Sequence, residues 1–148
     1  MKRVLFLCVH NSARSQMAEG LLRAIAGERF QVFSAGSEPT YVQPLAIRAL
    51  RELGIDVTAH GQHSKSVNEF IDQPFDYVIT LCAEQVCPTF PGAARRLHWN
   101  LPDPAAAAGS DAEKLNAFRQ VRDELRKRLD ELIQDDQSPS GRGRPNAA

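Results

Sequence analysis

Hydrophobic positions along the chain alternate between strand-like runs and helical spacing. Residues 3–8 (RVLFLC) are almost continuously apolar, which is typical of a parallel strand buried on both faces. Apolar residues at helical spacing follow over residues 17–25, and Gly27 ends that helix. Residues 30–35 (FQVFSA) predict a second strand, which closes on Gly36.

The middle of the chain repeats this alternation. A proline at position 44 suits the first turn of a helix over residues 44–53, which a glycine follows. Ser66 and Glu69 form a capping-box pattern and predict a short helix. Residues 76–81 (DYVITL) and 96–101 (RLHWNL) predict the third and fourth strands.

A long amphipathic helix is predicted towards the end of the chain. Ser110 and Glu113 form a second capping box at its start. Its apolar stripe contains Leu115, Phe118, Val121, Leu125, Leu129 and Leu132.

Strands that alternate with helices predict an α/β fold: a three-layer, doubly wound domain whose four-stranded parallel sheet is flanked by helices. The 148 residues suit one domain, which we assign to residues 1–135. Residues 136–148 are assigned to a disordered C-terminal tail, because the sequence SPSGRGRPNAA from position 138 is too polar to form a core.

Charge and hydropathy exclude several classes of function. The 18 basic and 18 acidic residues balance, so no general basic field attracts nucleic acid or an anionic membrane. No stretch approaches the roughly 20 apolar residues of a membrane span. The short apolar run at the N-terminus has no small-residue cleavage site after it, so a cytoplasmic protein is expected.

The special residues fall where predicted strands end. Cys8 ends the first strand, residues 34–36 end the second, Cys82 follows the third, and Asp103 follows the fourth. The carboxyl ends of parallel strands form the ligand crevice in such sheets, so these residues are expected at one edge.

The segment from Cys8 to Ser15 has the composition of an oxyanion-binding loop. Backbone N–H groups at a helix N-terminus favour anions, and the planar guanidinium of Arg14 can bind two oxygens of a tetrahedral oxyanion. The same positive potential lowers the pKa of a cysteine thiol, and Ser15 can donate to the thiolate. Asn11 can brace the loop in a left-handed conformation. A core thiol, the alternative for Cys8, explains neither Arg14 nor Ser15. The predicted oxyanion-binding residues are Val9, His10, Asn11, Ser12, Ala13, Arg14 and Ser15.

Cys82 and Cys87 are candidates for redox chemistry. An odd cysteine count without a secretion signal argues against a structural disulfide framework. A zinc site needs four ligands at tight spacing, so no metal is predicted; core packing stays open as an alternative. A disulfide between Cys8 and Cys82 requires Cα atoms within about 7 Å, which neighbouring strands roughly 5 Å apart allow. Cys87 lies in a predicted loop.

These motifs resemble the low-molecular-weight protein tyrosine phosphatase superfamily. Its signature is a cysteine, five residues and Arg-Ser, with an asparagine three residues after the cysteine. Residues 14–20 (RSQMAEG), 34–36 (SAG), 98–99 (HW) and 103–104 (DP) more closely resemble the arsenate reductases of this fold. The likeness covers residues 2–134. One departure is Ala13, where many relatives have a further cysteine.

This resemblance implies arsenate reduction by a three-cysteine relay. Cys8 is the nucleophile, Asp103 is the general acid, and Cys82 and then Cys87 carry the oxidation away as a disulfide. The implied reductant is thioredoxin; the four residues between Cys82 and Cys87 are fewer than in some relatives, so glutaredoxin or a low-molecular-weight thiol stays open. A monomer without a cofactor is expected. Some relatives hold potassium near the loop, but Lys65 opposes a cation here.

Two other functions are open from the sequence. A tyrosine phosphatase would use Cys8, Arg14 and Asp103 alone, but that branch has aromatic residues after its Asp-Pro, where this chain has four alanines (residues 105–108). An oxyanion sensor would need the loop and no acid.

Overall fold

The core of the protein is a parallel four-stranded sheet. A computed structural model describes residues 1–82 and 90–137. The strands are β1 (Lys2–Cys8), β2 (Phe30–Gly36), β3 (Phe75–Thr80) and β4 (Ala93–His98), in the order β2-β1-β3-β4. The predicted α/β class with a four-stranded parallel sheet is confirmed. The chain crosses from one side of β1 to the other after β2, so the ligand crevice is expected at the carboxyl ends of β1 and β3.

Three helices pack on one face of this sheet. They are α1 (Arg14–Ala26), α2 (Pro44–Arg51) and α3 (Asp111–Gln137). Val4 and Phe6 of β1 share a buried cluster with the apolar stripes of α1 and α3. The alternate residues Leu5 and Leu7 face the opposite side and pack in a cluster with three phenylalanines: Phe70, Phe75 and Phe90. Strand β1 is therefore buried on both faces, which explains its continuous apolar run.

The layer opposite the three helices is built differently from the prediction. The capping box at Ser66 and Glu69 is present, but the helix that it starts is a single 3-10 turn, Val67–Glu69. Among the described residues, this turn and the chain that follows it cover the second face of the sheet.

The predicted position of β4 is wrong by three residues. The strand spans Ala93–His98, whereas residues 96–101 were predicted. Trp99 and Leu101 supplied the misleading apolar signal: they are 8% and 2% exposed, but they lie beyond the strand, where they pack with the helical face. The true strand is an edge strand with alternating exposure and two arginines, so its sequence carries a poor strand signal.

Helix α3 continues beyond the predicted domain boundary at residue 135. Asp136 accepts hydrogen bonds from Lys2 Nζ (2.6 Å), Tyr77 Oη (2.8 Å) and Arg29 Nη2 (3.0 Å). The tail assigned from residue 136 therefore begins too early, since residues 136 and 137 belong to the helix; residues 138–148 lie outside the described residues. Within the described ranges, no helix combines the length and apolar character that a bilayer crossing requires.

Candidate active site

The loop between β1 and α1 opens directly onto the N-terminus of the helix. Helix α1 begins at Arg14, and its N-cap residue Ala13 makes no side-chain cap hydrogen bond. The first N–H groups of a helix have no intrahelical partner and carry a partial positive charge. The first turn of α1 has no acidic residue to neutralise this charge. This end of α1 can therefore attract an anion.

Asn11 fixes the shape of the loop. It is fully buried and has a left-handed φ of 48°, as predicted. Its Nδ2 donates to Ser15 Oγ (2.8 Å) and Ser34 Oγ (2.9 Å). Its Oδ1 accepts from Gln16 Nε2 (2.9 Å) and Lys65 N (2.8 Å). These four bonds use both donors and both lone pairs of the amide, so the side chain has one stable orientation.

A cavity of about 230 Å³ lies over the loop. Cys8 lines it, is 3% exposed, and pairs with Gly36 in the register of β1 and β2. The exposed ring of His10 also borders it, with Nδ1 3.2 Å from the Glu38 carbonyl oxygen. The cavity is lined by Cys8, His10, Asn11, Ser12, Ala13, Arg14, Thr40, Tyr41, Gln43, Asp103 and Ala105.

Two predicted oxyanion-binding residues are not among those that line the cavity. Val9 packs against the buried core, and its carbonyl oxygen accepts from Glu38 N (2.8 Å). Ser15 is fully buried in the first turn of α1, where its Oγ accepts from Asn11. These two residues flank the run of residues 10–14 that lines the cavity. Donation from Ser15 to the Cys8 thiolate stays a prediction.

Arg14 and Asp103 meet at one side of the cavity. Arg14 is 5% exposed, and its Nη1 donates to the carbonyl oxygens of Leu101 (3.1 Å) and Leu81 (3.4 Å). Its Nη2 lies 4.0 Å from Asp103 Oδ2. Asp103 also caps the 3-10 turn Pro104–Ala106, because its Oδ1 accepts from Ala105 N at 3.0 Å. Asp103 can therefore cap this turn and line the cavity at the same time.

Cys8 and Cys82 lie at the carboxyl ends of adjacent strands. In the register of β1 and β3, Leu7 is opposite Thr80, and Leu81 N donates to Leu7 O at 2.9 Å. Cys82 follows directly and is fully buried. The strand adjacency on which a Cys8–Cys82 disulfide depends is thus present. Cys87 lies outside the described residues, so its role stays a prediction.

Three residues outside the predicted set of catalytic and oxyanion-binding residues support the loop. A Cβ atom at Gly36 would lie 2.5 Å from Val9 O and 2.8 Å from Asn11 N, so only glycine lets β2 approach the loop this closely. Gln16 Nε2 also donates to Asn11 O at 3.0 Å. Lys65 contributes its backbone N–H to Asn11. Gly36 could be recognised from its position at the end of a predicted strand. Lys65 could not be recognised, because it is 54 residues from Asn11 and no local sequence pattern connects the two.

Within residues 1–82 and 90–137, no three His, Cys, Asp or Glu side chains form a group that could hold a metal ion.

The parallel sheet and the cysteine-arginine loop define a phosphatase-like class of oxyanion enzymes. The family model for low molecular weight phosphotyrosine protein phosphatase matches residues 3–138. The chain therefore belongs to this family.

Relatives that match nearly the whole chain are enzymes named arsenate reductase. The one from Halalkalibacterium halodurans is 45% identical over 130 residues, which cover 86% of this chain and 92% of the relative. The one from Bacillus subtilis is 41% identical over 135 residues, covering 90% and 96%. The resemblance to the arsenate reductase branch is thus confirmed.

Solved structures agree with these relatives. An arsenate reductase in the phosphate binding state superposes with a TM-score of 0.78 at 36% identity, covering 90% of this chain and 98% of that one. A thioredoxin-dependent arsenate reductase from Corynebacterium glutamicum gives a TM-score of 0.71 at 33% identity, covering 93% of this chain and 62% of that longer chain.

Proposed function

We propose that this chain reduces arsenate to arsenite through Cys8, Cys82 and Cys87. The observation that carries the proposal is the position of Cys8 and Cys82 at the ends of adjacent strands, with Cys8, Arg14 and Asp103 lining one cavity. The relatives named arsenate reductase support the same function.

The first step forms a bond between sulfur and arsenic. Arsenate is held by the N–H groups of the loop and by Arg14, which also favour the thiolate form of Cys8. The thiolate attacks arsenic, and a hydroxyl group of the arsenate leaves as water after it accepts a proton from Asp103. Arsenic is still in the +5 state in this adduct. Ser15 and Asn11 act by holding the loop in shape.

The next two steps move the oxidation to the other cysteines. The Cys82 thiolate attacks the Cys8 sulfur, the sulfur–arsenic bond breaks, and its electron pair stays with arsenic, which leaves as arsenite in the +3 state. Cys87 then attacks Cys82, which releases Cys8 as a thiolate and forms a Cys82–Cys87 disulfide. Each attack requires a reachable thiolate.

An external dithiol must reduce the Cys82–Cys87 disulfide before the next turnover. Thioredoxin is the reductant we propose, supported by the thioredoxin dependence of the Corynebacterium glutamicum relative. We further propose that the protein acts in the cytoplasm as a monomer, without a metal or organic cofactor.

Mass spectrometry after a single turnover tests the relay. Reduced protein is mixed with arsenate in the absence of any reductant, quenched with acid and mapped by peptides. We expect one arsenite per protein and a Cys82–Cys87 disulfide. Cys87→Ser protein should instead accumulate a Cys8–Cys82 disulfide. Release of arsenite without any disulfide would overturn the relay.

Hydrolysis of aryl phosphates is the second candidate activity. Tyr41 is 61% exposed and lines the cavity, so it offers one aromatic wall to an aryl group. Ala105 lines the cavity after the Asp-Pro and offers no second wall. We therefore expect only slow phosphatase turnover. Fast turnover that survives Cys82→Ser and Cys87→Ser, together with no arsenate reduction, would make the chain a phosphatase.

A further inference from the structure

A buried carboxylate lies behind the oxyanion loop. Glu19, on α1, is 4% exposed. Its Oε1 accepts a hydrogen bond from Ser34 Oγ and lies 3.4 Å from Lys65 Nζ. Its Oε2 lies 2.6 Å from Arg23 Nη2. The relay chemistry does not use this carboxylate, and a buried charge needs partners that compensate it.

Ser34 connects this carboxylate to the loop. Its hydroxyl donates to Glu19, so a lone pair of the same oxygen accepts from Asn11 Nδ2 at 2.9 Å. This donor direction is enforced by an ionised Glu19, because a carboxylate accepts hydrogen bonds and cannot donate them. The Ser34 hydroxyl therefore joins the Glu19 carboxylate to the Asn11 side chain that shapes the loop.

The negative charge of Glu19 also acts against anion binding in the cavity. A carboxylate behind a thiolate and a bound oxyanion disfavours both unless a cation cancels it. Lys65 is the more deeply buried of its two cations: its side chain is 10% exposed, against 34% for Arg23. The Lys65 ammonium is held by the His63 carbonyl oxygen at 2.7 Å.

We propose that Lys65 is a positioning residue of the oxyanion site: its ammonium, 3.4 Å from Glu19 Oε1, cancels the charge of Glu19 behind Cys8 and the bound anion. The inference rests on the oxyanion chemistry of the proposed function. The backbone N–H of Lys65 also donates to Asn11, and a side-chain substitution leaves that bond in place. The side-chain charge can therefore be tested separately.

Four variants of the full chain test this role. Lys65→Met removes the charge, and Lys65→Arg keeps it. Lys65→Met combined with Glu19→Gln removes both charges and keeps an oxygen acceptor for Ser34. Lys127→Met removes an exposed lysine of α3 and is the matched control. The charged or titratable groups that line the cavity beside Cys8, namely His10, Arg14, Tyr41 and Asp103, are unchanged in all four.

Two measurements are made on each variant. Iodoacetamide alkylation of Cys8 is followed against pH by peptide mapping, and KM and kcat for arsenate are measured above the alkylation midpoint. Lys65→Met should move the midpoint of Cys8 alkylation to higher pH and raise the KM for arsenate about tenfold. A tenfold change is the effect expected of one partly shielded charge. The kcat value should change less than about twofold, because the reacting groups are intact. Lys65→Arg and the double variant should return both values to near those of wild type.

Equal midpoints and KM values for Lys65→Met and Lys127→Met would overturn the inference. If Lys65→Met does not fold, Glu19→Gln alone decides, because it leaves the Lys65 charge uncancelled: a lowered midpoint supports the inference, and an unchanged midpoint overturns it. The alkylation measurement needs no arsenate. A wild-type protein that produces no arsenite, but whose Cys8 midpoint depends on Lys65, would therefore contradict the proposed function and leave the charge role of Lys65 standing.

Discussion

Asp103 Oδ2 lies 4.0 Å from Arg14 Nη2, and both side chains line the cavity above Cys8. A group that can deliver a proton is thus next to the guanidinium that can hold the oxyanion. Arg14 is itself fixed by the carbonyl oxygens of Leu81 and Leu101, which lie after β3 and β4. The sheet edge therefore sets the spacing between the proposed acid and the anion.

Asp103→Asn should separate proton donation from anion binding. We expect arsenite formation to fall by about a hundred- to ten-thousandfold, the usual contribution of a general acid. Phosphate affinity, measured by calorimetry, should be unchanged or higher, because a negative charge beside Arg14 is removed. The asparagine oxygen can still cap the turn through Ala105 N, so the melting temperature should not change.

Asp103→Ala is the matched comparison for that variant. It removes the acid and the cap together, so it should lose activity to the same extent and also melt earlier. An Asp103→Asn protein that keeps at least half of the wild-type rate would rule out Asp103 as the acid.

Gly36→Ala should weaken oxyanion binding from outside the loop. The new Cβ atom would lie 2.5 Å from Val9 O and 2.8 Å from Asn11 N, so β2 or the loop must shift. We expect a loss of about 1–3 kcal/mol in unfolding free energy, as for other overpacked sites. Phosphate affinity should fall as well, because Asn11 moves. Both quantities can be measured by denaturant titration and calorimetry.

Gly54→Ala provides the control for a generic glycine effect. Gly54 has a φ of 79° and no neighbouring atom within 4 Å of a built Cβ atom. This substitution should cost about 1 kcal/mol of stability through backbone strain alone. Its phosphate affinity should equal that of wild type; a similar loss of affinity in both variants would show that the approach of Gly36 to the loop is unimportant.

Glu52 should make the contact between α2 and α3 sensitive to acid. The hydrogen bond from Arg119, with help from Arg122, lowers the pKa of Glu52 to about 2 from 4.5. A lowered pKa means that the contribution of the carboxylate is complete above about pH 5 and is lost as the pH falls towards 2. Glu52→Gln should therefore lower the melting temperature at pH 7, and its difference from wild type should shrink across that window.

Thermal melts at several pH values check this prediction, with Asp130→Asn as control. Asp130 forms an exposed pair with Arg126 at 3.6 Å, a type of contact that contributes little. A Glu52→Gln difference that stays constant from pH 7 to pH 2 would contradict the assignment.

Truncation should locate the end of the folded domain after residue 137. A chain of residues 1–137 is expected to melt and reduce arsenate like the full chain. A chain of residues 1–135 loses the hydrogen bonds of Asp136 to Lys2, Arg29 and Tyr77, and should lose about 2 kcal/mol of unfolding free energy. Asp136→Asn in the full chain should reproduce most of that loss. Equal stability of the two truncated chains would show that this anchor contributes nothing.

The elements that could be predicted from the sequence are those with a strong local pattern. The run of β1 and the stripe of α3 are buried where expected, because apolar periodicity reflects burial directly. The oxyanion loop was also visible, since its cysteine, asparagine and arginine lie within seven consecutive residues. Strand β4 was misplaced because Trp99 and Leu101 are buried outside any strand.

Sequence alone therefore determined the order of strands and helices and the loop that begins at Cys8, because both depend on residues close together in the chain. Only the tertiary structure decided which side chains from outside the loop support it. Lys65 and Glu19 are 46 positions apart, and Asp136 and Lys2 are 134 apart. Such pairs leave no periodic trace, because their spacing along the chain is set by the path of the fold and not by the geometry of any one element.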